Sequence, residues 1–135
     1  MSTEIKLPKQ IYIVEDDVFI GKILTEKISE TNINVKRFIN AEDALKSLQT
    51  EVPDIILLDI YLPGMDGIKA LETIRKNEAT QKIIVIVLSN TDDKKYRDAA
   101  KNLGAKFLIK AAIEPSEVLK YVIDVFNDPS KEIVQ

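Results

Sequence analysis

Five short apolar runs alternate with five stretches of helical periodicity, and this alternation limits the fold more than any other feature of the chain. The runs are "IYIV" (11–14), "VKRFI" (35–39, the weakest), "DIILL" (54–58), "IIVIVL" (83–88) and "KFLI" (106–109). The third and fourth are apolar along almost their whole length, as strands covered on both faces are. Between the runs the period changes. Ile20, Ile23, Leu24 and Ile28 fall on one helix face, as do Ala44, Leu45 and Leu48, then Ile68, Leu71 and Ile74. Tyr96, Ala99, Ala100 and Leu103 follow, and Val118, Leu119, Val122, Ile123 and Phe126 close the series. Such an order predicts an α/β fold, a doubly wound parallel sheet with helices on both faces and right-handed crossovers. The punctuation agrees. Asn40 with Asp43 resembles a capping box, and Asp66 can cap a helix that begins near Gly67. Gly104 ends the fourth helix, and Pro115 suits a first helical turn.

Composition then removes several chemistries. The chain has 135 residues, which predicts one domain with a core over about 10–127. A net charge of −3 argues against broad, charge-driven nucleic-acid binding. There are no cysteines and no histidines. Disulfides, thiolate metal sites, thiol nucleophiles and the commonest general base are therefore absent. No apolar run approaches a membrane span, and MSTEIKLPKQ lacks the apolar segment of a secretion signal, so the expected location is the cytoplasm. Site chemistry must run on carboxylates, hydroxyls, amides and lysine.

In open α/β sheets the site lies beyond the carboxyl ends of the strands. Glu15, Asp16 and Asp17 follow the first strand and Asp59 the third; Ser89, Asn90 and Thr91 follow the fourth, and Lys110 the fifth. Each has a plain structural explanation alone: a solvated acidic loop, a turn aspartate, a helix-entry serine, a surface lysine. Together they form a pattern. If the first and third strands are neighbours, Glu15, Asp16 and Asp59 meet on one rim. Three carboxylates stay ionised together only around a cation, or their pKa values rise. Oxygen-only ligands favour Mg²⁺ first, with Mn²⁺ or Ca²⁺ next. A hydroxyl and a lysine across the rim suggest an anion between them. A phosphoryl group on Asp59 would satisfy every part, and Lys110 is expected to gain its charge-assisted contact when that anion arrives.

Over residues 10 to 127 the chain resembles a response-regulator receiver domain of the two-component signalling family. The matching motifs are "IYIVEDD", "IILLDIYLPGMDG", "KIIVIVLSN" and "LGAKFLIK". The resemblance implies a flavodoxin-like (βα)5 fold with strand order 2-1-3-4-5. It implies that Asp59 is the phosphoacceptor, and that Asp16, Glu15, Asp59 and the Tyr61 backbone carbonyl hold Mg²⁺. Ser89 matches the switch hydroxyl, Phe107 the switch aromatic and Lys110 the phosphate-binding lysine. Tyr61 and Thr91 match positions that tune phosphoryl lifetime. The expected donor is a histidine kinase or phosphotransfer protein. The expected output is protein binding by a monomer, through the face of helix 4, strand 5 and helix 5, with no membrane insertion and no turnover enzyme activity.

The sequence departs from the family at Asn90, where a small residue is usual, and at Phe107, which has no hydroxyl. It departs again at Ala111, where proline is usual, in a loop one residue longer. The bond between Lys110 and Ala111 is expected to be trans, since a cis bond before a non-proline residue costs about 2.5–4 kcal/mol. Other readings fit less well. A pseudo-receiver would lack Asp59, the acid pair or Lys110. A phosphatase with an aspartyl nucleophile typically has a second Asp where Tyr61 stands. A flavin or nucleotide site wants a Gly- or Ser-rich loop, and here that loop is Glu-Asp-Asp.

Overall fold

The computed structural model describes residues 4–90 and 92–130. The elements are β1 (Gln10–Val14), α1 (Val18–Ser29), β2 (Asn34–Phe38), α2 (Ala41–Ser47), β3 (Ile55–Asp59), α3 (Gly67–Lys76), β4 (Ile84–Ser89), α4 (Lys94–Asn102), β5 (Lys106–Ile109) and α5 (Pro115–Asn127). A short 3-10 turn, Lys110–Ala112, lies between β5 and α5. All five strands are parallel, in the order β2-β1-β3-β4-β5. The alternation seen in the sequence is thus the alternation of the fold, and β1 and β3 are neighbours.

Side chains of successive strand residues face opposite ways, so one sheet makes two cores. Tyr12, Val14, Ile56, Leu58, Val85 and Val87 face Ala44 of α2, Leu71 of α3 and Ala100 of α4. Ile11, Ile13, Ile55, Leu57, Ile86, Leu88 and Leu108 face Leu24 of α1 and Val122 of α5. The middle strands have both faces covered, which is why their sequences run apolar without a break. β2 is an edge strand and only partly covered.

Two strand boundaries differ from expectation in the same direction. Asp59 and Ser89 do not follow their strands but are the last residues within them, Asp59 opposite Leu88 and Ser89 opposite Ile109. Their backbones are held by the ladder, so their side chains stand on rigid supports.

The caps explain where the helices begin. Asp17 accepts hydrogen bonds from the Phe19 and Ile20 amides, Asn40 from Asp43, and Asp66 from Lys69. The Asn40–Asp43 box closes only on one side, because the Asp43 carboxylate accepts from the Asn40 side-chain amide. Gly104 has φ +68°, the left-handed conformation that ends α4 at little cost. Pro115 is the first residue of α5, and the Glu117 carboxylate accepts from the Glu114 amide. The Lys110–Ala111 bond is trans, as expected, and the 3-10 turn carries the chain toward α5.

Candidate functional site

The acidic run after β1 divides its labour. Asp17 caps α1, Asp16 is exposed, and Glu15 is buried. The Glu15 amide donates to the Phe38 carbonyl at 2.9 Å, which extends the β1–β2 pairing by one residue and turns the carboxylate into the rim. Because β1 pairs with β3, Glu15 and Asp59 end up side by side. Carboxylate oxygens of Glu15, Asp16 and Asp59 all lie within 4.8 Å of one another.

Lys110 crosses from the end of β5 to this pair. Its Nζ lies 2.7 Å from Glu15 Oε1 and 3.3 Å from Asp59 Oδ2. The Lys110, Glu15 and Asp59 side chains expose only 11%, 1% and 5% of their surface. Without any phosphoryl group present, Lys110 already contacts two buried carboxylates, and its single charge balances only one of them.

The electrostatics follow from burial. Desolvation pushes the Glu15 carboxyl above its ordinary value, the adjoining Asp59 carboxylate adds to the rise, and Lys110 opposes it. Burial alone would lower the Lys110 ammonium, but the contacts with Glu15 and Asp59 outweigh it and the net direction is upward. One lysine facing three carboxylates leaves the pocket negative. Asp59 Oδ1 is buried and accepts no hydrogen bond among the described residues. Hard oxygen donors, an excess of negative charge and an unsatisfied acceptor suit a hard divalent cation such as Mg²⁺, with Mn²⁺ or Ca²⁺ as substitutes.

Around this centre, Ser89 is fully buried at the end of β4, one strand from Asp59. Phe107 of β5 is half-buried against the core of the α2–α3–α4 side, with the Arg97 guanidinium 5.5 Å from its ring centroid. Tyr61, two residues past Asp59, is exposed, and its ring meets Tyr96 of α4. Asn90 is exposed, and Thr91 lies outside the described residues.

Gly67, marked in the sequence as the start of a helix, has a further role in packing. A Cβ there would collide with the Asp59 carbonyl oxygen and stand 2.9 Å from Ile60 Cα. The Gly67 amide donates to the Ile60 carbonyl at 2.8 Å, so the start of α3 seals directly onto the end of β3. Gly64, with φ +75°, makes the turn between them, and the Glu42 carboxylate accepts from the Met65 amide at 3.2 Å. The Pro63–Gly64 pair and the Asp66 cap mark this turn in the sequence.

The Response regulator receiver domain family model matches residues 11–123. The response regulator ArlR of Staphylococcus aureus is 29% identical over 126 residues, which cover 93% of this chain and 56% of that protein. The response regulator DrrB, an OmpR/PhoB homologue of Thermotoga maritima, superimposes with a TM-score of 0.78 at 26% identity, over 93% of this chain and 55% of that one. The phosphorylated cyanobacterial phytochrome response regulator RcpA shares the fold, with a TM-score of 0.78 at 22% identity over 93% and 98% of the two chains.

The parallel 2-1-3-4-5 sheet and the carboxylate pocket at the ends of β1 and β3 agree with these matches. The chain belongs to the response regulator receiver domain family, whose members are phosphorylation-based signalling switches. It spans about half the length of the curated relatives it matches. Among the described residues no helix is long and apolar enough to cross a membrane.

Proposed function

We propose that the chain is a receiver unit, spanning about residues 10–127, that takes a phosphoryl group onto Asp59 from the phosphohistidine of a histidine kinase or phosphotransfer protein. The observation that carries this reading is the buried Glu15–Lys110–Asp59 cluster, with Asp59 Oδ1 accepting no hydrogen bond among the described residues. In the transfer an Asp59 oxygen forms a bond to phosphorus as the N–P bond of the donor breaks, and the imidazole nitrogen leaves with the electron pair. Lys110, already beside Asp59, turns from Glu15 toward a phosphoryl oxygen. Ser89 offers its hydroxyl from the neighbouring strand, and Phe107 follows into the space behind it. Glu15, Asp16, Asp59 and the Tyr61 carbonyl would hold Mg²⁺, which supplies the positive charge that a phosphoryl group needs to approach carboxylates. Output by protein binding through the α4–β5–α5 face, in the cytoplasm, completes the reading.

The test is labelling with acetyl phosphate and Mg²⁺, read by intact mass. The wild-type chain should gain one phosphoryl group that base removes, and Asp59→Asn should gain none. Equal labelling of the variant would refute the assignment.

A further inference from the structure

The two ends of α4 are held in different ways. At its amino end Lys94 pairs with Asp98 and Arg97 with Asp92, all four side chains exposed, and Asp93 caps the Lys95 amide. These contacts lie within α4 and its own approach, and exposed pairs of this kind add little. What reaches other elements from this end is ring contact: Tyr96 against the core and edge-to-face with the exposed Tyr61, and Arg97 over Phe107 of β5. The carboxyl end is fastened otherwise. Ala100, in the last turn, is the one residue of α4 that is buried. Just past the helix the Ala105 amide donates back to the Ala100 carbonyl at 2.9 Å. Arg75, from the last turn of α3, meets the carbonyls that follow. Its Nε donates to the Leu103 carbonyl at 2.7 Å and its Nη2 to that of Gly104 at 3.4 Å. Its Nη1 donates to the Gln81 carbonyl at 3.0 Å and to that of Ile83 at 2.7 Å, in the turn before β4. One half-buried guanidinium thus joins three segments, and the carboxyl ends of α3 and α4 both turn their partial negative charge to it. Burial disfavours the charge and pushes its pKa below the ordinary arginine value, so the four carbonyl dipoles offset a desolvation cost.

We infer that Arg75 is the pin of a hinge: it fastens the carboxyl end of α4 to α3 and to the start of β4, so α4 moves by swinging its amino-terminal half about Leu103 and Gly104 rather than by sliding along the sheet. The nine residues of α4 make a lever of about 13 Å. The end that moves is the one that meets Tyr61, in the loop after β3. The end that stays is tied to the turn that feeds β4. A lysine could not replace the pin, because one ammonium nitrogen does not reach four oxygens that a planar fork spans. Under the output role proposed above for the α4–β5–α5 face, the part of that face that changes is residues 94–97, while Lys101 and Asn102 keep their place. The hinge itself does not depend on that reading.

Native-state hydrogen exchange on the full, metal-free chain tests the hinge, with Arg75→Lys, Arg75→Met and Asp93→Ala beside wild type. In wild type the Arg97 and Asp98 amides should be less protected than those of Leu103, Gly104 and Ala105, because the amino end opens alone. Arg75→Met should cut protection at residues 103–105 by about 10- to 100-fold, the size of one hydrogen bond to a charged group, and bring it to the level of Asp98. Arg97 and Asp98 should not change, and Leu57 in the core should stay above both. Arg75→Lys, which keeps the charge without the fork, should follow Arg75→Met. Asp93→Ala should do the reverse, loosening Arg97 and Asp98 alone. Even protection along α4 in wild type would overturn the inference. So would Arg97 and Asp98 falling together with residues 103–105, residues 103–105 still matching Leu57 in Arg75→Met, or wild-type behaviour of Arg75→Lys. With acetyl phosphate and Mg²⁺ kept present, protection should change at Arg97 and Asp98 and not at residues 103–105; equal changes at both would count against the hinge. A chain that takes no label would overturn the phosphoacceptor assignment, and a labelled chain with α4 unchanged the output role, while the hinge stands on the metal-free comparison.

Discussion

Replacing Lys110 with methionine keeps most of the aliphatic stem and deletes the charge. Its ammonium lies 2.7 Å from Glu15 Oε1 and 3.3 Å from Asp59 Oδ2. At an effective dielectric of about 20 such contacts are worth about 5–6 kcal/mol each before desolvation is counted. Desolvation offsets much of that, and removing one partner of a buried ion pair costs about 3–5 kcal/mol in practice. Glu15 has an escape, because it can bind a proton. Its folded pKa already lies above the ordinary value. Between the unfolded and folded values the folded state holds more protons, so stability falls as pH rises through that window. Without Lys110 a lowering influence is gone, and the window extends upward. The contribution of Lys110 itself has the other limit: its folded pKa is raised, so its share is fully present below the ordinary lysine value and is lost only in alkali.

Urea unfolding in EDTA at pH 5, 6, 7 and 8 separates these effects. The variant should be about 3–5 kcal/mol less stable at pH 8. The deficit should shrink on acidification, by at most about 1.4 kcal/mol per pH unit. Thermal midpoints should fall by about 10–18 °C at pH 8. A deficit under about 1 kcal/mol at pH 8, the size expected of an exposed ion pair, would refute the reasoning. So would a deficit that does not change with pH.

Other outcomes follow from the same geometry. Asp16→Ala should weaken Mg²⁺ binding by at least about tenfold, read from the amide resonances of Glu15, Asp59 and Tyr61 during a titration; the rationale is one lost carboxylate of three. Gly67→Ala should lower stability by about 1–3 kcal/mol or more, because the new Cβ meets backbone that has no rotamer to yield, and denaturant melts will show it. Tyr12→Phe should cost about 1–2 kcal/mol in the same assay. The buried Tyr12 hydroxyl lies 2.6 Å from Glu51 Oε1 and 2.7 Å from Ser47 Oγ, with its pKa pushed up to about 12 by burial and Glu51. Glu51, held down to about 2 by Lys36 and then Tyr12, should titrate higher in that variant.

Apolar periodicity made the order of elements legible, and with it the neighbours of each strand end, because a buried face must repeat with the period of its element. Asp59 was legible for a related reason: a carboxylate closing the apolar run Ile55–Leu58 has no packing explanation. Its place inside the strand was not, since the last rung of a ladder is decided by the partner strand, here Leu88 of β4. Lys110 shows the sharper limit. Its two partners lie 95 and 51 residues away, and nothing in the residues around it distinguishes a paired lysine from one awaiting an anion. Arg75 reads as a basic residue in the last turn of α3, favourable to the helix dipole. Yet it donates to the carbonyls of Gln81, Ile83, Leu103 and Gly104, tying the turn before β4 to the end of α4. Tyr96 reads as one member of a helix face and does pack against the core, but its ring also meets Tyr61 in the loop after β3. Polar and aromatic pairings across elements have no period. They exist only after the sheet has set the distances, so the residues that tune such a site stay hidden until the fold that positions them is known.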